Sequence, residues 1–317
     1  MKTKDTEVIG ISRQVLDQVR SVVVGKDATL LWVLAAILAG GHILLEDVPG
    51  VGKTTMALAF SKVLDLRYSR VQFTPDVLPS DVTGYSVLDQ NTGRMHYQPG
   101  AVLCNLFLAD ELNRATSRTQ SALLEAMEEG QVTVDGTTHV LPKPFVVIAT
   151  QNPTGAAGTS LLPDSQMDRF MVKLSLGYPS AKDEVNMVLN RQGGNPLHSV
   201  QALMTHEQLA ELQNTVADTY IKDTVVSYLV ELITATRNNV DILRGASPRA
   251  TLAVTSMAKA VAQLRGRDYV VPGDIREVFI HTVAHRLLLT PKAEGQGKTP
   301  EQVLRGILES IPVPRLR

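Results

Sequence analysis

The sequence predicts an α/β fold: a doubly wound, parallel five-stranded sheet within residues 1–180, followed by a smaller all-helical domain over residues 181–317. Three observations carry this reading. Five short, β-rich apolar runs appear in order, Ile43 to Leu45, Tyr68 to Phe73, Leu106 to Ala109, Phe145 to Ala149 and Met171 to Leu174, most of them separated by helical patterns. Strands alternating with helices imply a parallel sheet covered on both faces. A glycine-rich turn joins the first run to a helix, and beyond Tyr178-Pro179 amphipathic segments with helix-start signals replace strand-like runs.

Apolar spacing at Ile11, Val15, Leu16 and Val19 predicts an opening helix that leads into Val22-Val23-Val24-Gly25-Lys26, and Leu30 to Ala39 reads as a buried helix. After the first strand come the turn Pro49-Gly50-Val51-Gly52-Lys53-Thr54 and a helix from Thr55 to Val63. Between the second and third strands, residues 84–98 read as a hairpin: Tyr85, Val87, Met95 and Tyr97 flank the polar turn Asp89 to Gly93. A second hairpin, within residues 131–141, turns at Asp135-Gly136. In the helical domain, Thr205 with Gln208 fits a capping box, and Ser247-Pro248 places a cap residue before a proline at the first helical position. Pro291 to Gly297 reads as a loop before a last helix near Pro300 to Ser310.

Composition excludes several classes. With 44% apolar residues and a formal net charge of −1, the chain has a globular composition, and no basic excess argues for nucleic acid as a partner. The run from Leu30 to Ala39 falls short of the about 20 apolar residues that a membrane crossing needs. The mixed charges of Met1 to Glu7 do not form a secretory leader, and the single Cys104 reads as a small core residue in a reducing compartment, so the expected location is cytoplasmic.

The chemistry begins at the turn. Gly50 and Gly52 let backbone N–H groups curl around a polyphosphate, Lys53 is placed to reach its β and γ phosphates, and Thr54 offers a hydroxyl to Mg²⁺ at a helix N-terminus. The general phosphate-loop pattern has a glycine where this chain has Asp47. The third strand ends in Asp110-Glu111, at the sheet edge where open α/β sheets bind ligands. Asp110 suits the Mg²⁺ shell, and Glu111 suits the polarising of an attacking water. Asn152, at the tip of the next strand in sequence, is placed to orient the same water. Arg169 follows a polar loop of about 15 residues and sits where it would reach a neighbouring copy's phosphates. Arg249, in the first turn of a helix, is expected to touch the γ-phosphate of its own subunit. His281 and His285, four apart, have no evident third ligand and read as a helix face.

These segments, Asp47 to Thr54, Gln72 to Gly84, Leu108 to Ala115, Ala149 to Pro153, Asp168-Arg169-Phe170 and Gly245 to Ala250, resemble those of the MoxR-type AAA+ ATPases over nearly the whole chain. The resemblance implies a P-loop AAA+ core with a helical lid. It assigns Pro49, Gly50, Val51, Gly52, Lys53, Thr54 and Thr55 to the Walker A motif and its helix start, and Asp110 and Glu111 to Walker B. Asn152 becomes sensor 1, Arg169 the arginine finger and Arg249 sensor 2, while Val24 and Gly25 contact the adenine and Thr54 and Asp110 bind the metal. It further implies ATP and Mg²⁺ as cofactors, a homo-hexameric ring whose hairpin inserts face the ring surface or pore, and a chaperone-like role on a protein client, often with a von Willebrand factor A-domain protein on a separate chain. Two alternatives remain open at this point: a nucleotide-gated scaffold with little turnover, and a nucleic-acid-dependent motor.

Overall fold

The computed structural model describes residues 2–152 and 162–315. Along the chain the first elements are α1 (Lys2–Val22), α2 (Asp27–Leu38), β1 (Ile43–Glu46), α3 (Lys53–Val63), β2 (Tyr68–Gln72), α4 (Pro79–Thr83), β3 (Gly84–Leu88), β4 (Met95–Pro99) and β5 (Leu106–Asp110). They are followed by α5 (Ser117–Glu129), β6 (Gln131–Val134), β7 (Thr137–Val140), β8 (Val146–Gln151), α6 (Asp164–Met167) and β9 (Val172–Leu174). The central sheet is parallel and five-stranded, in the order β2-β5-β8-β1-β9.

Period-two alternation builds both layers at once. Ile43, Leu45, Leu106, Leu108, Val146 and Ile148 point to one face, where Met56 and Phe60 of α3 and the apolar stripe of α2 cover them. Leu44, Phe107, Ala109, Val147 and Ala149 point to the other, where Leu123, Leu124 and Met127 of α5 cover them. Because β5 and β8 are buried at every position, they read in the sequence as continuous apolar runs. The two inserted hairpins pair as expected, β3 with β4 and β6 with β7, and Tyr97 stacks on His139 with ring centroids 3.6 Å apart, joining the hairpins.

The second domain contains α7 (Ala181–Gln192), α8 (His206–Ala217), β10 (Tyr220–Ile221), α9 (Asp223–Arg237), β11 (Ile242–Arg244), α10 (Pro248–Leu264), β12 (Tyr269–Val270), α11 (Pro272–Val283), β13 (Leu288–Leu289), α12 (Pro291–Gly295) and α13 (Pro300–Ser310). The Thr205 capping box forms, with Gln208 reaching back to the Thr205 N–H. The domain is helical as expected and also carries two short strand pairs, β10 with β12 and β11 with β13, whose two or three residues are too short to leave an apolar period. Two local expectations are corrected. Pro291–Gly295 is a short helix rather than a loop, because Thr290 caps it and Pro291 occupies its first turn. Ser247 precedes α10 but makes no side-chain cap; its hydroxyl donates to Asp168 instead. Among the described residues, no helix is long and apolar enough to cross a membrane.

Candidate active site

The phosphate loop runs from the C-terminal end of β1 into α3. Gly50 and Gly52 have φ of 87° and 99°, a region that residues with a Cβ enter only under strain, and a Cβ built on either meets no atom within 4 Å, so the concavity is open. Lys53 is 9% exposed and donates to the carbonyls of Asp47 and Val48 at 3.0 and 3.4 Å. Burial lowers its pKa, against the pull of Asp47, Asp110 and Glu111, so a polyanion entering the loop would relieve a desolvated cation. Thr54 and Thr55, both half-buried, lie in the first turn of α3.

Asp47 explains its own departure from the general pattern. Its carboxylate accepts from Ser175 Oγ, the Leu176 N–H and the Gly177 N–H at 2.6, 2.6 and 2.9 Å, pinning the start of the loop to the chain leaving β9. A glycine there could not make this connection.

Asp110 and Glu111 emerge beside the loop at the tip of β5. Thr150 on β8 bridges them: its hydroxyl donates to Asp110 Oδ1 at 2.7 Å and accepts from the Glu111 N–H at 2.8 Å. Asp110 Oδ2 takes Arg70 of β2 at 2.6 Å. Glu111 has φ 55°, an uncommon left-handed conformation that the Thr150 bond helps hold, and its carboxylate pairs with Arg114 at 2.8 Å. Asn152 follows β8, which lies between β5 and β1, so Lys53, Glu111 and Asn152 issue from three adjacent strand ends.

A cavity of about 490 Å³ opens next to the loop. Val24, Gly50, Val51, Gly52 and Thr55 line it, and so do Met187, Asn190 and Arg191 of α7 and the chain from Gly194 to Leu197. Gly25 is not a wall of this cavity; its backbone has φ 74°, and a Cβ there would collide with the Asp183 carboxylate. The contribution of α7 went unread in the sequence, since a helix-lined wall carries no motif; its row of Met187, Asn190 and Arg191 at one-turn spacing is the only trace.

The two arginines lie elsewhere. Arg169 Nε and Arg249 Nη2 both donate to Glu128, at the end of α5, at 3.1 and 2.5 Å. The neighbouring residue, Met127, accepts from His42 Nε2 at 3.1 Å, and the His42 carbonyl accepts from the Met171 N–H at 2.8 Å. His42 immediately precedes β1, so this cluster sits at the N-terminal edge of the sheet. The phosphate loop leaves the C-terminal edge, and the four residues of β1 alone put roughly 13 Å between the two edges. The expectation that Arg249 touches its own subunit's γ-phosphate is therefore corrected. Asp168 holds α10 down at this edge, accepting from Ser247 at 3.1 Å and pairing with the buried Arg286, and that docking carries Arg249 to Arg169 rather than to Lys53. Glu128, which collects both arginines, had no signal in the sequence. His281 lies against Trp32, ring centroids 5.2 Å apart and tilted by 41°, and His285 contacts the Phe170 carbonyl at 3.0 Å, both packing roles.

Comparison with known proteins bears on the family and the fold. Residues 42–172 match the ATPase family associated with various cellular activities (AAA), and residues 234–307 match the AAA lid domain. The chain is 44% identical over 299 residues to the uncharacterized protein YeaC of Bacillus subtilis (strain 168), covering 94% of this chain and 93% of that one. It is 39% identical over 319 residues to chaperone MoxR1 of Mycobacterium tuberculosis, covering 98% and 84%. A crystal structure of a candidate ATPase from Cytophaga hutchinsonii ATCC 33406 superimposes with a TM-score of 0.92 at 38% identity, over 99% of this chain and 98% of that one. Sequence and architecture together place this chain in the MoxR family of AAA+ ATPases.

Proposed function

We propose that the protein hydrolyses ATP at a site shared between copies arranged head to tail, and that the cycle remodels a protein client. One observation carries this: the phosphate cradle and the paired arginines occupy opposite edges of the same sheet, so a single chain holds two complementary halves that cannot meet. A heterologous contact of this kind closes into a ring when its rotation allows, and a ring of six copies is what the family resemblance implies.

Within one copy, Lys53 and the Gly50–Thr54 amides would hold the β and γ phosphates. Thr54 and Asp110 supply oxygens of the kind Mg²⁺ takes. When bound, that ion neutralises charge on the β and γ oxygens. Glu111 polarises the attacking water, and Asn152 orients it. Arg169 and Arg249 of the next copy would face the charge that develops on the transferred group, a contribution worth roughly 10³ to 10⁵ in rate for a single finger in well-studied GTPases. The apolar side chains on the inserted hairpin, Leu88 and Met95, are 56% and 63% exposed, which suits a protein client better than a small molecule. The mycobacterial relative is named a chaperone, which supports the same role. A von Willebrand factor A-domain protein on a separate chain is the partner this reading favours.

The test is the concentration dependence of turnover. Specific activity should rise with protein concentration as copies assemble, and Arg169→Ala should abolish the rise while leaving nucleotide binding intact. A flat dependence in a particle that stays monomeric with ATP would refute the shared site.

A further inference from the structure

Glu128 stands outside every motif of the sequence, yet its two carboxylate oxygens serve different arginines from different domains. Oε2 accepts from Arg169, on the loop before β9, and Oε1 accepts from Arg249, in the first turn of α10. Beside them Asp168 pairs with Arg286 and accepts from Ser247, so three guanidinium groups face two carboxylates and the cluster keeps an excess of positive charge. Arg286 is buried, whereas the side chains of Arg169, Arg249 and Glu128 are 33%, 44% and 36% exposed and open to the outer surface. An exposed pair of this kind contributes little to stability, about 0–1 kcal/mol, so folding alone gives weak reason for the convergence.

We infer that Glu128 is a positioning residue for the neighbouring copy's reaction: it holds Arg169 and Arg249 together at the flank, ready for that copy's γ-phosphate. The inference rests on the shared-site reading above. Each guanidinium carries five N–H donors and the carboxylate engages one of each, which leaves donors for phosphate. Preorganisation matters here because arginine is long and rotamer-rich. Ordering one such side chain at the moment of binding costs a factor of roughly 2 to 13, so losing the hold on both should lower turnover by about 4- to 170-fold. Since Arg169 belongs to the core and Arg249 to the helical domain, the same carboxylate also fixes the spacing between the two groups that must meet one phosphate.

Mixing experiments test this with the full chain. Glu128→Ala should lower kcat by about fourfold or more with nucleotide affinity unchanged, because its own phosphate loop is untouched; Glu128→Gln, which keeps one acceptor oxygen, should lose less. Lys53→Ala is inactive through its own pocket but still presents Glu128 and both arginines. Adding Lys53→Ala to Glu128→Ala should therefore restore ATP hydrolysis, since Glu128→Ala pockets then receive intact arginines, and Lys53→Ala added to Arg169→Ala should restore it in the same way. A defect confined to the Glu128→Ala chain's own fold would not be rescued. Wild-type kcat in Glu128→Ala, or rescue of Arg169→Ala without rescue of Glu128→Ala, overturns the role of Glu128 and leaves the shared site standing. Rescue of neither overturns the shared site and the inference together.

Discussion

Removing the Asp47 carboxylate should cost stability first and nucleotide affinity second. Three donors converge on it, from Ser175 Oγ, the Leu176 N–H and the Gly177 N–H, and Asp47 itself is 6% exposed. In Asp47→Ala the Leu176 N–H, on a buried residue, loses its partner outright, while the exposed Ser175 and the half-buried Gly177 can turn to water. One fully orphaned donor costs about 1–3 kcal/mol, so a total of about 2–5 kcal/mol is expected. Asp47→Asn keeps one acceptor oxygen and should lose about half as much. Urea unfolding, compared at constant slope, measures the difference. The same change frees the start of the loop whose Asp47 carbonyl accepts from Lys53, so a fluorescent ATP analogue should bind more weakly. A loss below about 0.5 kcal/mol in Asp47→Ala would show that this carboxylate is not what anchors the loop to the chain after β9.

Other outcomes follow from the same geometry. Glu111→Gln should bind ATP as the native chain does and lose turnover by about 10²-fold or more, as measured by phosphate release; equal turnover would remove Glu111 from the mechanism. Arg114→Ala, which releases the Glu111 carboxylate, should lower kcat while leaving KM near its native value, and an unchanged kcat would make that ion pair incidental. His42 is locked in one neutral tautomer, Nδ1 accepting from the Val147 N–H at 3.0 Å and Nε2 donating to Met127, and burial lowers its pKa to about 4. A depressed value means that the stability is fully present above pH about 6.5 and is lost as pH falls toward 4, amounting to about 2 kcal/mol by pH 5. Thermal melts of His42→Asn between pH 7 and pH 5 should show a shallower decline than the native chain, and parallel slopes would sink the assignment.

Much of this was legible in the residues because burial leaves a pattern. Strands covered on both faces carry unbroken apolar runs, so β1 and β8 were located to within a residue or two from Ile43 to Leu45 and Phe145 to Ala149. Cap chemistry did the same for α8, where Thr205 and Gln208 form the expected capping box. What the residues did not carry was long-range placement. Nothing local tells that the helix bearing Arg249 docks on Asp168 at the far edge of the sheet, because the contact joins positions 79 apart in the chain. Glu128 was equally silent, one acid among several on α5, as was the wall that α7 gives the cavity. Pro291–Gly295 was within reach of local reasoning: Thr290 followed by proline is a helix start, outweighed there by the glycines that follow.

In the proposed cycle the triphosphate site is completed from the next copy. The most direct measurement is a structure of Glu111→Gln assembled with ATP and Mg²⁺. The Arg169 and Arg249 guanidinium groups of each copy should lie within hydrogen-bond distance, about 3 Å, of the adjoining copy's γ-phosphate. An assembled particle in which both arginines face away from every neighbouring nucleotide would contradict it.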